Sequence, residues 1–226
     1  VESVLQEMGA RGAPPPLSAF NALIAAHARQ GDVEAAEEVA VRLQAAGLAA
    51  DVKTYEGLVS AAAAASQPSL AWSYYDEAVK RRIDPTLPMF NSLVIASGRG
   101  GKLALTFEAV DAMRKAGYAP DEVTWRELLS SCARHGNALL AWETYKQSRQ
   151  AGNAPSEVAL NIIIGVTLLH IRELTDPDRL GAMDEDPDTG MPTYGIRAAA
   201  AEPAWKEWAD RAIAVYHEAT VAGVRP

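Results

Sequence analysis

The side chains that most often carry out catalysis do not form a catalytic pattern in this sequence. Cys132 is the single cysteine, which allows no internal disulfide and no multi-cysteine zinc site, and which fits a reducing compartment. The histidines are far apart, without a carboxylate or cysteine at ligand spacing: His27, His135, His170 and His217. No nucleophile–base pair, phosphate-binding loop or catalytic carboxylate pair is evident. The sequence therefore predicts a binding module and not an enzyme, with no cofactor.

One acidic segment has the first part of a calcium-loop spacing. Asp184, Asp186 and Asp188 alternate as the first ligands of such a loop do. The glycine comes one place late, at Gly190, and Gly195 stands where a bidentate glutamate is needed. A solvated acidic loop is the favoured interpretation, and we expect no metal site.

Asparagine and aspartate recur at a regular interval and could bind a polar ligand. Asn21, Asn91 and Asn161 are in register with one another, and Asp51 and Asp121 follow the first two at equal distances. An amide offers a hydrogen-bond donor and an acceptor, and a carboxylate adds acceptors. Each asparagine is near a predicted helix N-terminus, so an alternative role as a helix cap stays open.

Three arginines form a second column in the same register, at Arg29, Arg99 and Arg134, with Ala64 at the second of its four places. A column of positive charge in register with a repeat is what a track for a phosphate backbone needs. The alternative is a solvated helix end, where a cation is stabilised by the helix macrodipole. We favour phosphate contact.

These columns are positioned by a 35-residue unit that occurs four times without a gap. The copies are residues 17–51, 52–86, 87–121 and 122–156, which we call repeats 1 to 4, and residues 1–16 match the second helix of a preceding copy. In repeat 3, the spacing of Phe90, Leu93 and Val94 predicts an amphipathic helix that ends at Gly100 and Gly101. A second helix is predicted from Leu103 to Lys115. Such a hairpin buries its apolar face only when copies stack.

Several columns of the repeat predict its core. The fourth position is aromatic, the seventh is leucine, the eighth is aliphatic and the twentieth is small, so that two helices can approach. The members of the fourth column are Phe20, Tyr55, Phe90 and Trp125, and those of the twentieth are Ala36, Ala71, Thr106 and Ala141. We expect the aromatic column to be core and not a platform for stacking bases.

Residues 157–226 form a fifth copy that is interrupted by an insert. The copy begins in register at Glu157 and ends in register at Pro226, with about 36 extra residues at roughly 171–206. The insert is acidic and rich in turn formers, so we expect a long, partly disordered loop, followed by a helix that starts at Pro203. We also expect the chain to be part of a longer array.

The composition limits the partners. The 226 residues are 49% hydrophobic, much of it alanine, and they carry 21 Lys and Arg against 29 Asp and Glu, a net charge of −8. This charge argues against nonspecific nucleic-acid binding but leaves room for a local basic stripe. No apolar run approaches the ~20 residues of a membrane span, and no targeting peptide is visible.

A 35-residue hairpin with an aromatic–Asn pair near its start, Gly at position 31 and Pro–Asp at its end resembles the pentatricopeptide repeat family. In repeat 3 the matching residues include Phe90, Asn91, Gly117, Pro120 and Asp121. The related 34-residue tetratricopeptide repeat binds protein. The resemblance implies an all-α, right-handed superhelical solenoid of stacked helix-turn-helix repeats that binds single-stranded RNA, one base per repeat.

The resemblance also implies roles for particular positions. Positions 5 and 35 recognise the base, and the pairs are Asn21 with Asp51, Glu56 with Thr86, Asn91 with Asp121, and Arg126 with Ser156, with Asn161 alone in repeat 5. Asn with Asp implies uracil, whereas the Glu–Thr and Arg–Ser pairs are not standard, so the implied target is U-x-U-x-pyrimidine. Position 2 separates neighbouring bases and is Ser18, Lys53, Pro88, Val123 and Val158, of which only the valines fit the family's aliphatic preference. Position 13, the arginine column, contacts phosphates.

A narrower similarity concerns the C-terminal end, where a split last repeat is followed by Trp205, Trp208 and the sequence AVYHEATVAGVRP. It resembles a plastid factor that matures and stabilises the mRNA of the Rubisco large subunit. The similarity implies a chloroplast location, with the mitochondrion as the alternative, and a solenoid that blocks a 5′ exonuclease at the 5′ untranslated region. The alternative function is a protein-interaction solenoid, for example in an organellar ribosome or RNA-processing complex.

Overall fold

The computed structural model describes residues 15–154, 156–175 and 196–221, and the regular secondary-structure elements in these ranges are α-helices joined by turns and short loops. The helices are α1 (Leu17–Gln30), α2 (Val33–Ala45), α3 (Val52–Ala64), α4 (Pro68–Lys80), α5 (Leu87–Arg99), α6 (Leu103–Lys115), α7 (Glu122–Arg134), α8 (Ala138–Gln150), α9 (Glu157–Thr175) and α10 (Ile196–Val221). The predicted all-α class is confirmed, and α6 has the bounds expected from the sequence.

The chain divides into two compact units, Val1–Ser131 and Cys132–Pro226. In the first unit, α1, α3 and α5 pack side by side as one layer. The second layer covers them: α2 packs against α1 and α3, α4 against α3 and α5, and α6 against α5. In the second unit, α9 packs against α8 and α10. In the first unit, the hairpin of α1 and α2 thus packs against the hairpin of α3 and α4, which in turn packs against the hairpin of α5 and α6.

The core follows the predicted columns. Phe20, Tyr55, Phe90 and Trp125 are each at most 4% exposed, so the aromatic column is core, as predicted. The small residues of the twentieth column are fully buried. At Gly57 a Cβ atom would lie 2.6 Å from Cγ2 of Ile24, which shows how closely α1 and α3 approach. Bulky side chains at such a contact would force the helices apart.

Two turns of each hairpin use the left-handed backbone region. At position 15 these residues are Gly31, Ser66, Gly101 and Gly136, and at position 31 they are Gly47, Arg82, Gly117 and Gly152. Glycine takes this conformation without the steric cost of a Cβ atom. Repeat 2 is the exception at both turns, because Ser66 has φ 57° and Arg82 has φ 60°.

Both predicted boundaries of the loop at residues 171–206 are wrong. Helix α9 continues to Thr175, and α10 already begins at Ile196, so the expected helix start at Pro203 is also wrong. The sequence offers a reason: no Gly or Pro follows Glu157 until Pro177 except Gly165, and Arg197 opens an alanine-rich run of strong helix formers. The acidic triplet at 184–188 and residues 1–14 lie outside the described ranges.

Candidate nucleic-acid interface

A groove of about 830 Å³ runs over the layer formed by α1, α3 and α5. We call it the first-helix groove. Small side chains such as Ala22, Ala25 and Gly57 line it and leave space above the helices. It is also lined by residues that the sequence singles out: Ser18, Asn21, Arg29, Asp51, Lys53, Glu56 and Pro88. Members of the predicted base-recognition, base-separating and phosphate columns thus share one surface.

In repeats 1 and 3 the predicted base-recognition pair is joined by a hydrogen bond. Nδ2 of Asn21 donates to Oδ1 of Asp51 at 2.9 Å, and Nδ2 of Asn91 donates to Oδ2 of Asp121 at 2.8 Å. An ionised carboxylate can only accept hydrogen bonds, so it fixes which end of the amide faces it. The two repeats therefore present an asparagine amide in one defined orientation.

A threonine completes each of these pairs. Oγ1 of Thr54 lies 2.7 Å from Oδ1 of Asn21 and 3.0 Å from Oδ1 of Asp51. In repeat 3, Oγ1 of Thr124 lies 2.8 Å from Oδ1 of Asn91 and 2.9 Å from Oδ1 of Asp121. The hydroxyl has one proton, so it donates to one of the two oxygens at a time. Either bond keeps the asparagine and the aspartate together.

The aspartates, and not the asparagines, are the helix caps. Oδ1 of Asp51 accepts the backbone N–H of Thr54 at 3.0 Å, and Oδ1 of Asp121 accepts that of Thr124 at 2.9 Å. Asp51 is the N-cap of α3, whereas Asn21 lies inside α1. The capping interpretation of Asn21 and Asn91 is therefore wrong, because their amides bond to the next repeat's cap.

The hydrogen bonds around Asp51 and Asp121 also keep both carboxylates ionised. Burial by itself would raise the pKa of Asp51, but the backbone N–H of Thr54, the Asn21 amide and the Thr54 hydroxyl outweigh it and lower the pKa below the ordinary value. The pKa of Asp121 is lowered in the same way: burial opposes the shift, and bonds from Thr124 and Asn91 cause it. The amide orientation is thus stable at neutral pH.

Each of these asparagines retains hydrogen-bonding capacity after its internal bonds are made. One N–H of the amide bonds to the aspartate, and one lone pair of the carbonyl faces the threonine hydroxyl. A second N–H and a second lone pair are left on each side chain. Asn21 lines the groove and Asn91 is half-buried, so neither residue is fully enclosed by the protein. A neighbouring donor and acceptor match the alternating edge of a pyrimidine base.

Repeat 2 has the same geometry with different chemistry. Oγ1 of Thr86 donates to Oε1 of Glu56 at 2.5 Å, and Nζ of Lys53 lies 2.6 Å from Oε2. The hydrogen bond with Glu56 raises the pKa of Lys53. The predicted base-recognition pair of this repeat is therefore in contact, with the hydrogen-bond direction reversed and with Lys53 as a third member.

The residues predicted to recognise bases in repeats 4 and 5 lie in different environments. Arg126 is half-buried on α7 in the first unit, while Ser156 belongs to the second unit, where its Oγ accepts the N–H of Ala159 at 3.4 Å. Asn161 is exposed and is the fifth residue of α9. Base recognition by these residues stays a prediction.

The remaining two columns lie on accessible parts of the helices. At position 2, Ser18, Lys53 and Pro88 are exposed and line the groove, Val123 is half-buried, and Val158 is 51% exposed. In the arginine column, Arg29 lines the groove, and Arg99 and Arg134 are exposed at the last positions of α5 and α7. A cation at a helix C-terminus suits both interpretations of this column, so phosphate contact stays a prediction.

Sequence reasoning missed Thr54 and Thr124. The signal was present, because a threonine stands three residues after each Asp of an Asn–Asp pair. The corresponding residues after the non-standard pairs are Met89 and Ala159. An Asp followed by a hydroxyl residue three places on is also a helix-capping pattern.

The described part of the chain has no cluster of metal-binding side chains and no helix that could span a membrane. In these ranges no group of three or more His, Cys, Asp or Glu side chains could hold a metal ion. Burial raises the pKa of the Cys132 thiol to about 11, which makes it a poor nucleophile at neutral pH. None of the described helices combines the length and apolar character needed to cross a membrane.

Known proteins share this repeat and this fold. The family model described as pentatricopeptide repeat-containing protein matches residues 54–174, and the pentatricopeptide repeat domain model matches residues 3–48. No curated protein matches the sequence.

Three solved structures show the same fold at low sequence identity. The pentatricopeptide repeat protein PPR10, in complex with an 18-nt psaJ RNA element, has a TM-score of 0.64 and 22% identity over 90% of this chain and 28% of that chain. Nuclear proteinaceous RNase P 2 from A. thaliana has a TM-score of 0.63 and 16% identity, covering 74% of this chain and 38% of that one. The PPR domain of Arabidopsis thaliana protein-only RNase P 1, in complex with tRNA, has a TM-score of 0.62 and 16% identity. That match covers 87% of this chain and 100% of the RNase P 1 domain. This chain therefore spans about a quarter of PPR10.

Proposed function

Because the chain belongs to the pentatricopeptide repeat family, we propose that it binds single-stranded RNA in a sequence-selective way, with one base per repeat. The observation that carries this proposal is the Asn–Asp–Thr arrangement, which occurs with nearly equal distances in repeats 1 and 3. The two fixed amides are separated by one intervening repeat, which suits two bases that are separated by one intervening nucleotide. The proposed ligand is U-x-U-x-pyrimidine, read 5′ to 3′ from repeat 1.

The chemistry of the pair supports uracil at the first and third nucleotides. Uracil offers an N3–H donor beside a carbonyl acceptor, and the asparagine amide offers the complementary acceptor and donor. The partner carboxylate of Asp51 or Asp121 holds the amide in one orientation. A side-chain amide that cannot flip distinguishes uracil from cytosine, because cytosine has its donor and acceptor exchanged at the same edge.

The test is binding to short RNAs that differ at one nucleotide. U-x-U-x-C RNA should bind more tightly than poly(A) in fluorescence anisotropy, and affinity should fall with salt as counterions are released. Asn91→Ala should weaken binding only when the third nucleotide is uracil. Equal affinity for U-x-U-x-C and poly(A) would refute recognition by these pairs.

We further propose that the bound protein stabilises an organellar mRNA by steric protection, without chemistry of its own. A solenoid on the 5′ untranslated region stops a 5′ exonuclease at its edge. The C-terminal similarity supports the plastid Rubisco large-subunit mRNA as the target and the chloroplast as the location, with the mitochondrion as second choice. The test is to crosslink the full-length protein to RNA in cells and sequence its footprint. A footprint outside organellar transcripts would refute this proposal.

A protein-interaction solenoid is the second candidate. It is favoured by exposed apolar side chains of the second unit, among them Leu168 and Leu169 on α9, which are 54% and 59% exposed. A stoichiometric protein partner that remains bound after nuclease treatment would support it. Loss of every partner with nuclease would favour RNA.

A further inference from the structure

Repeat 2 carries a glutamate where repeats 1 and 3 carry the recognition asparagine. Building on the RNA binding proposed above, we propose that repeat 2 recognises guanine through the carboxylate of Glu56. The implied ligand becomes U-G-U at the first three nucleotides. This assigns a base to a repeat whose residue pair is not standard for the family.

The position of Glu56 is that of a base-recognition residue. It occupies position 5 of its repeat, as Asn21 and Asn91 do, and it lines the first-helix groove together with Asn21. Its side chain is 14% exposed and is held in place by two partners, Thr86 and Lys53. It is therefore an ordered group and not a freely moving surface glutamate.

The direction of the internal hydrogen bond sets what the repeat can bind. In repeats 1 and 3, the position-5 amide donates to the aspartate at position 35. In repeat 2, the position-35 hydroxyl of Thr86 donates to position 5. Glu56 is thus an acceptor towards its partner and towards any ligand.

The free acceptors of Glu56 fit one base better than the others. A carboxylate has about four lone-pair sites, and Thr86 and Lys53 occupy two of them. Guanine has two adjacent donors on its Watson–Crick edge, N1–H and an N2 hydrogen, which can bond to the two oxygens together. Uracil has one donor between two carbonyls, and adenine and cytosine each have one amino group beside a ring nitrogen that would face the carboxylate lone pairs.

Lys53 reduces the electrostatic cost of this carboxylate in an RNA-binding groove. An unpaired negative charge would repel the phosphate backbone. The ammonium group of Lys53 lies 2.6 Å from Oε2 of Glu56, and the Lys53 side chain is 66% exposed. The ion pair therefore has no net charge, which weakens the repulsion between Glu56 and the phosphates.

The test uses four RNAs that share uracil at the first and third nucleotides and differ only at the second. In competition anisotropy with the 226-residue protein, U-G-U RNA should bind about tenfold more tightly than U-A-U, U-C-U or U-U-U RNA. Equal binding of the four, with all of them stronger than an A-A-A RNA, would overturn the guanine assignment and leave the proposed function standing. Failure of all four to exceed A-A-A RNA would refute the proposed function itself.

A pair of isosteric variants isolates the carboxylate. Glu56→Gln replaces one acceptor by a donor and should abolish the preference for U-G-U RNA. The control is Glu38→Gln, an exposed glutamate on α2, which removes the same charge outside the groove and should keep the preference. Retention of the guanine preference in Glu56→Gln would overturn the assignment.

Discussion

The hydroxyl of Thr124 can be removed with almost no change of shape, and this makes it the sharpest probe of the proposed recognition site. Thr124→Val keeps a β-branched side chain in a fully buried position, where the residue is 0% exposed. It deletes the hydroxyl that lies 2.8 Å from Oδ1 of Asn91 and 2.9 Å from Oδ1 of Asp121. The bond between the Asn91 amide and Asp121 stays possible.

The expected magnitude follows from the bonds that are lost. The hydroxyl has one proton, so one donated bond is lost; the nearest acceptors are the Asn91 carbonyl and the Asp121 carboxylate, and the Met113 sulfur is farther away at 3.9 Å. A neutral hydrogen bond contributes about 1 kcal/mol and one to a charged group about 1.5–3 kcal/mol. We expect the free energy of unfolding to fall by about 1–2 kcal/mol.

The effect on RNA binding should be specific to one nucleotide. Without the Thr124 hydroxyl, the Asn91 amide flips more often, and each flip exchanges the positions of its donor and acceptor. The exchanged amide fits cytosine, so the preference for uracil over cytosine at the third nucleotide should shrink by up to about tenfold. At the first nucleotide, which Asn21 and Thr54 serve, the preference should be unchanged.

Urea denaturation followed by circular dichroism measures the stability, and competition anisotropy with RNAs that carry U or C at the third nucleotide measures the preference. Thr106→Val is the matched control, because Thr106 is also fully buried and its hydroxyl donates to the carbonyl of Lys102 at 3.0 Å, on α6 outside the groove. The control should lose stability and keep the preference. If Thr124→Val and Thr106→Val bind both RNAs alike, Thr124 has no part in orienting the amide.

Three further predictions concern the turns, the helix contact and the pH dependence. Arg82→Gly should raise the free energy of unfolding by about 0.5–1 kcal/mol in urea denaturation, because Arg82 has φ 60° and glycine avoids the steric cost; a loss of stability would contradict this. Gly57→Ala should lower stability by about 1–3 kcal/mol, since its Cβ would lie 2.6 Å from Cγ2 of Ile24; an unchanged urea midpoint would show that α1 and α3 can separate. The pKa of Asp121 is lowered on folding, so its stabilising effect is complete above the ordinary value of 3.8 and is lost as pH falls through the folded-state value. The difference in melting temperature between wild type and Asp121→Asn should therefore be constant near neutral pH and shrink below about pH 4, and a constant difference at all pH values would argue against the shift.

The repeat, its helices and its core could be predicted because they depend on local periodicity. The columns that begin with Phe20 and Ala36 recur every 35 residues, and each has one side chain size that fits the stacked hairpins. Local patterns were less reliable at the last repeat. There, helix propensity extended α9 to Thr175 and started α10 at Ile196, against the expectation from turn formers and Pro203.

The hydrogen bonds between side chains that are far apart in the sequence could not be deduced in the same way. Asn91 and Asp121 are 30 residues apart, and whether their side chains meet depends on how the next helix begins and how closely α5 lies to it. The same applies to Thr124, whose role appears only when the cap of α7 and the Asn91 amide are seen together.

The sequence by itself thus determined the period, the helices, the buried columns and the positions that face outward, because each is set by residues within one or two turns of a helix. Tertiary structure decided which of these side chains meet, and their chemistry then sets the direction of each hydrogen bond. In repeats 1 and 3, position 5 donates to a carboxylate, and in repeat 2, Glu56 accepts from Thr86. These contacts arise because stacking brings the fifth residue of one hairpin against the N-cap of the next, and they determine which groups remain free for the proposed binding of a base.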